Sequence, residues 1–180
     1  MGTERQSDEY RRLIGSVSER VIRMSPVPVH LVKADRHAET GVTVRRAAES
    51  DVDAIRAVAE RSLKSSYGPI LDEEDLEHAI EHWYGAESVQ ELLADPLTVV
   101  LVAVADDAVV GFSQSHLVDT PAGTTGEIHW LHVDPEFRGT GIGSMLYDRT
   151  ITALAEHDVD RVAGLVLAAS EPGNAFYRAQ

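Results

Sequence analysis

Residues 126–144 read GEIHWLHVDPEFRGTGIGS, and they constrain the fold more than any other part of the chain. Ile128, Trp130, Leu131 and the β-branched Val133 begin the stretch as a strand. Asp134-Pro135 ends it, because proline cannot donate to a sheet ladder. Arg138-Gly139-Thr140-Gly141-Ile142-Gly143 follows as a glycine-rich loop. Ile142, Met145, Leu146, Ala153 and Leu154 then recur at helical spacing. A strand, a glycine loop and a helix in direct succession leave unpaired N–H groups at the helix N-terminus. Glycine lets a ligand approach that backbone closely, and the helix dipole favours an anion there, most often phosphate.

Three phosphate-binding patterns compete for the loop. A P-loop requires Gly-x-x-x-x-Gly-Lys-Ser/Thr, and no lysine lies here. A dinucleotide fingerprint, Gly-x-Gly-x-x-Gly, would put its third glycine on Ser144, and the strand does not run straight into Gly139. The third pattern, Arg/Gln-x-x-Gly-x-Gly/Ala, is filled by Arg138, Gly141 and Gly143. Read with Leu131-His132-Val133-Asp134-Pro135 upstream, it resembles the coenzyme A signature of the GNAT-family N-acyltransferases. The plain alternative is a structural turn into a buried helix, but three alternate glycines cost stability there unless something uses them.

The resemblance implies an α/β (α+β) GNAT fold: a mixed, mostly antiparallel sheet, helices on both faces, and a splayed parallel pair of strands. It covers about Val42 to Gln180, and the family's last two antiparallel strands have no counterpart before Gln180. Residues 1–40 read as an N-terminal extension, helical over Tyr10, Leu13, Ile14, Val17 and Val21, and residues 41–180 as the acetyltransferase domain.

Along that domain, Val42 and Val44 alternate as a strand, and Ser50 is placed to cap a helix running to about Lys64. Ser65 to Leu71 reads as a loop. Leu76, Ile80 and Trp83 mark a second helix, and Val89, Leu92 and Leu93 a third. Leu97 to Ala105 is apolar enough for a buried strand, Asp106-Asp107 suits a hairpin turn, and Val109 to Val118 returns, with Gly111 marking a bulge. Thr120 to Gly126 reads as a loop. Val162 to Ala168 is a strand expected parallel to Ile128–Val133.

The sequence holds 16 basic and 30 acidic residues, a net charge of −14. That surface argues against a nucleic-acid partner, which needs basic patches. It suggests either adaptation to a high-salt interior or simply an acidic soluble protein. The longest apolar run, Val99 to Ala105, is too short to span a membrane, and no cysteine is present for disulfides or thiol catalysis. These features are compatible with a cytoplasmic enzyme. His78 and His82 stand four apart on one helix, but Glu74, Glu77 and Glu81 surround them and the His-Glu-x-x-His pattern is absent, so no metal is expected.

What the resemblance implies for chemistry is acetyl transfer from acetyl-CoA to the primary amine of a small molecule or peptide. The alternative is an acyl-CoA-binding regulatory module with little catalysis. Backbone N–H groups of Gly139, Thr140, Gly141, Ile142, Gly143 and Ser144 would hold the pyrophosphate, with Arg138 adding charge. Leu131, His132 and Val133 would pair by main chain with the pantetheine arm, and an N–H near Leu131 would polarise the thioester carbonyl. By two-residue alternation Glu127 and His129 share a strand face with Leu131. Glu127 matches the family's base, with His129 as runner-up and acceptor contact. Tyr177 matches the tyrosine acid that protonates the thiolate. Where the family has a cofactor-binding asparagine, this chain has Ser170, and Asn174 follows in the next helix. Tyr67, Trp83 and Tyr84 fall in the variable region over the acceptor and are candidate contacts there, with core packing the favoured reading for Trp83. Relatives of this kind often pair, so a homodimer is compatible with the resemblance.

Overall fold

Alternation at Val42 and Val44 forms strand β1, Val42–Arg46. In this computed structural model the described residues are 41–69, 71–121, 123–166 and 171–179, the first two of the last segment by backbone alone. The expected N-terminal extension and Ser170 lie outside them. After a 3-10 turn at Glu49–Asp51 come helices α1 (Val52–Tyr67), α2 (Glu73–Tyr84) and α3 (Ala86–Ala94). Strands β2 (Thr98–Ala105), β3 (Ala108–Thr120) and β4 (Gly123–Val133) follow. Helix α4 (Ile142–Ala155), strand β5 (Arg161–Gly164) and helix α5 (Glu171–Ala179) complete the order.

The strands lie in sequence order, antiparallel from β1 to β4 and parallel between β4 and β5. One face carries a core of Ile55, Val58, Leu63, Leu76, Val89, Val102 and Phe112, supplied by the sheet and by α1, α2 and α3. The other packs Leu101, Val110, Ile142 and Leu146 beneath α4. There Gly126 gives the space that Leu154 fills: a Cβ at that glycine would come within 2.8 Å of the leucine Cδ1. No helix among the described residues is long and apolar enough to cross a membrane.

Several local expectations are corrected. The cap of α1 is Asp51, not Ser50. The Asp51 carboxylate accepts from Ala48 N at 2.8 Å and from both terminal nitrogens of Arg45, so the 3-10 turn is tied to β1 before the helix begins. Helix α1 runs on to Tyr67, so Ser65 to Tyr67 is helix rather than loop. The expected loop from Thr120 to Gly126 is mostly strand, because β-branched Thr124 and Thr125 pair with Asp119 and Val118. Strand β5 ends at Gly164, well short of Ala168.

The Asp106-Asp107 turn forms as expected, both residues at positive φ. The ladder slips by one residue at Gly111, which pairs with Ala103 while Val109 pairs with Val104. A Cβ on Gly111 would sit 3.0 Å from His132 O, a close approach that only glycine allows.

Candidate functional site

The site begins with a second register slip. Gln114 faces Trp130 and Ser115 faces Ile128, so His129 is the extra residue of a bulge in β4. The bulge defeats the alternation read from sequence. Glu127 pairs with His116 and Trp130 with Gln114, on the face of α1 to α3. Leu131 pairs with Ser113, whose hydroxyl bonds Thr150 of α4, and so lies on the opposite face. Glu127 and Leu131 therefore do not share a face. Glu127 and His129 do meet: Nε2 of the histidine lies 3.1 Å from the carboxylate.

Past the bulge, β4 has a free edge. Asp134 N donates to Val110 O at 2.9 Å, and His132 faces Phe112. In an antiparallel ladder the intervening residues turn their N–H and C=O groups away from that partner. Leu131 and Val133 thus aim theirs to the side of β5. Strand β5 ends at Gly164, just before Leu165 N bonds Ile128 O at 2.9 Å. Among the described residues no strand covers Leu131 to Val133 on that side.

The loop after β4 is anchored to α1. Asp134 accepts from Arg61 Nε at 2.6 Å and from Glu136 N at 3.1 Å. Arg138 donates to Val133 O, to Ser65 Oγ, to Ser62 O and Oγ, and to Ser66 Oγ. All those acceptors are neutral, so the guanidinium charge stays uncompensated by any described carboxylate within 4.0 Å. Gly139 and Gly141 have φ of +77° and +93°, and a Cβ on either would meet nothing within 4 Å. The backbone there borders open space at the N-terminus of α4, where Met145 N to Gly141 O, 3.0 Å, is the helix's first bond. Thr140 turns its hydroxyl back to Phe137 O at 2.6 Å, and Ile142 is buried in the α4 core.

These parts line one cleft of about 850 Å³. Leu131, His132, Val133, Arg138, Gly139, Gly141, Gly143 and Ser144 border it, as do His129, Tyr67, Tyr84 and Tyr177. Glu127 stands behind His129 rather than on the wall. Asn174 is in the first turn of α5, beside Gly173 of the wall. Sequence reading missed Trp130, Ser62, Ser66 and Phe176, which also line the cleft, as does Trp83, for which it favoured a core role.

Trp83 and Tyr84 both reach the cleft, but to different degrees. Trp83 is 50% exposed and faces the cleft, while Tyr84 is 3% exposed and packs in the core against Trp130 and Phe112. The Tyr84 hydroxyl meets His132 Nε2 at 2.9 Å, and Ser62 Oγ meets Nδ1 at 3.1 Å. Burial, with a smaller push from Arg138, lowers the His132 pKa to about 4. Its imidazole is therefore neutral at pH 7. Burial raises Tyr84 well above the ordinary phenol value. Tyr177 lies on Gly164, where a Cβ would come within 2.8 Å of its ring, and burial pushes its pKa up to about 12. No cluster of three or more His, Cys, Asp or Glu side chains suited to a metal occurs among the described residues.

The profile of the acetyltransferase (GNAT) family matches residues 57–180. A mycothiol acetyltransferase of Propionibacterium freudenreichii subsp. shermanii is 24% identical over 139 residues, which is 76% of this chain and 41% of that protein. The chain thus spans about two fifths of that relative's length. The crystal structure of the PaiA N-acetyltransferase of Thermoplasma acidophilum with coenzyme A aligns at TM-score 0.71 and 22% identity, over 77% of this chain and 87% of that one. An aminoglycoside acetyltransferase from an uncultured soil metagenomic sample, solved with trehalose, aligns at 0.59 and 21% identity, over 78% and 88%.

Proposed function

Because the chain belongs to the GNAT acetyltransferase family, we propose that it transfers an acetyl group from acetyl-CoA to a primary amine by direct attack in a ternary complex. The observation that carries this reading is the edge of β4 at Leu131–Val133, which no described strand covers, next to open glycine backbone at the N-terminus of α4. A pantetheine arm pairs with that edge as a strand would. The diphosphate takes the N–H groups of Gly139 to Gly143, helped by the helix dipole and by the uncompensated Arg138. That local charge opposes a protein field of −14, which otherwise repels an anionic substrate.

The amine must lose a proton before its lone pair attacks the carbonyl carbon. His129 stands on the wall with Glu127 behind it, so the pair takes that proton: histidine accepts and the carboxylate steadies the imidazolium. The Leu131 N–H donates to the carbonyl oxygen as charge builds there. The C–N bond forms, the C–S bond breaks and the thiolate leaves, taking the second proton that the nitrogen sheds as it becomes an amide, while the first passes from His129 to solvent. Tyr177 donates a hydrogen bond to that sulfur. At a pKa of about 12 it holds its own proton against a thiolate whose ordinary value is about 8.5. The proton completing coenzyme A therefore derives from the amine.

Free thiol, followed on mixing protein, acetyl-CoA and a panel of amines, tests this directly. Thiol release that depends on an amine supports transfer. Tight acetyl-CoA binding with no amine-dependent release overturns it and leaves a binding module.

A further inference from the structure

We propose that the acceptor is a monoamine on a compact apolar or aromatic body, and not a polycation such as a polyamine or an aminoglycoside. The inference rests on the acetyl-transfer reading and names the acceptor class for that same cleft. The chain has 30 acidic residues, yet no described side chain lining the cleft is a carboxylate. Helix α2 shows the separation most plainly. Its Glu73, Glu74, Asp75, Glu77 and Glu81 are exposed, and none lines the cleft, whereas Trp83 of the same helix does. What α1, α2 and β4 present instead is Leu63, Tyr67, Trp83 and Trp130, with His129 among them.

The charges decide between acceptors. Each extra ammonium of a polycation loses water on entry and finds no carboxylate among the described residues of the wall, Glu127 being engaged by His129 behind it. A single amino group escapes that penalty by giving its proton to His129 as it enters, since desolvation lowers an amine's pKa. The neutral form is also the nucleophile, so such a wall favours the reactive state. The apolar body then gains the half-exposed face of Trp83. The acidic outer surface still draws cationic amines toward the protein before they lose the proton.

The test is steady-state thiol release by the full chain with acetyl-CoA and 2-phenylethylamine, spermidine or kanamycin. The expected kcat/KM for 2-phenylethylamine exceeds that of either polycation by roughly tenfold or more. Trp83→Ala should raise its KM roughly three- to tenfold, with kcat and the KM of acetyl-CoA unchanged and Trp83→Phe recovering most of the loss. Preference for spermidine or kanamycin, or an unmoved KM in Trp83→Ala, overturns the proposal while acetyl transfer itself stands. If no amine releases thiol, tryptophan fluorescence is titrated with the same three compounds in the presence of coenzyme A. Quenching by 2-phenylethylamine alone, lost in Trp83→Ala, upholds the acceptor class although transfer has failed. Quenching by spermidine or kanamycin, or by none of the three, overturns it.

Discussion

Lowering the pH from 7 to 4 should remove about 3 kcal/mol of folding stability through one side chain, His132. Its imidazole is held between Ser62 Oγ and Tyr84 OH and titrates near 4 in the folded protein. Arg138 donates to the same Ser62 Oγ, so the serine links the imidazole to the guanidinium. In the unfolded chain the same histidine titrates near its ordinary value of about 6.5. Between those values the unfolded state binds more protons than the folded one, so stability falls as pH falls. A gap of about 2.5 units at 1.36 kcal/mol each gives about 3.4 kcal/mol in full, of which about 3 is lost between pH 7 and pH 4. That is a large part of the 5–15 kcal/mol a domain usually has. Carboxylates with depressed values act in a lower window. Asp51 is lowered chiefly by its hydrogen bond to Arg45 and Asp95 by its bond from Leu97 N, and their contributions are lost mainly below pH 4. Urea unfolding of the protein and of His132→Gln at pH steps from 7.5 to 4 isolates the histidine. Glutamine keeps one donor and one acceptor but does not titrate. The variant's stability deficit at pH 7 should shrink by about 3 kcal/mol as pH 4 is reached. Parallel pH profiles would show that His132 is not held neutral and refute the argument.

Gly141→Val places a β-branched side chain at φ +93° in the open space proposed for the diphosphate. Calorimetry should find acetyl-CoA binding abolished, at a stability cost of about 1–2 kcal/mol from the left-handed backbone; unaltered affinity would remove the cofactor assignment. Tyr177→Phe should lower kcat about tenfold or more while acetyl-CoA affinity stays within twofold, and an unchanged kcat takes the phenol out of the reaction. With 30 acidic residues against 16 basic, screening should raise the melting temperature by about 5 °C between 0.1 and 2 M KCl. A flat melting temperature would exclude salt adaptation.

The features legible in the chain were those whose causes are local. The Asp-Asp hairpin, the Val-Asp-Pro end of β4 and the glycine loop before α4 each depend on the backbone preferences of a few adjacent residues. The helices of the variable region followed from apolar spacing alone, apart from the last turn of α1, where Ser65 and Ser66 look like loop residues. There the serines are held by Arg138 from far along the chain.

The amino-acid order by itself therefore determined an acetyltransferase-like frame: the strand, the loop of glycines, the helix, and the histidine, carboxylate and tyrosine candidates around them. Only the folded arrangement decided which of those groups reach the cleft. One inserted residue at His129 moves Glu127 and Leu131 to opposite faces, and no local pattern marks it, because a bulge is a mismatch between two strands. Trp83 and Tyr84 are neighbours of similar character, and a helix sends adjacent side chains about 100° apart. Tyr84 is the buried one, packed on Phe112 and Trp130 with its hydroxyl against Nε2 of His132, 48 positions away, and none of those partners is local to the helix.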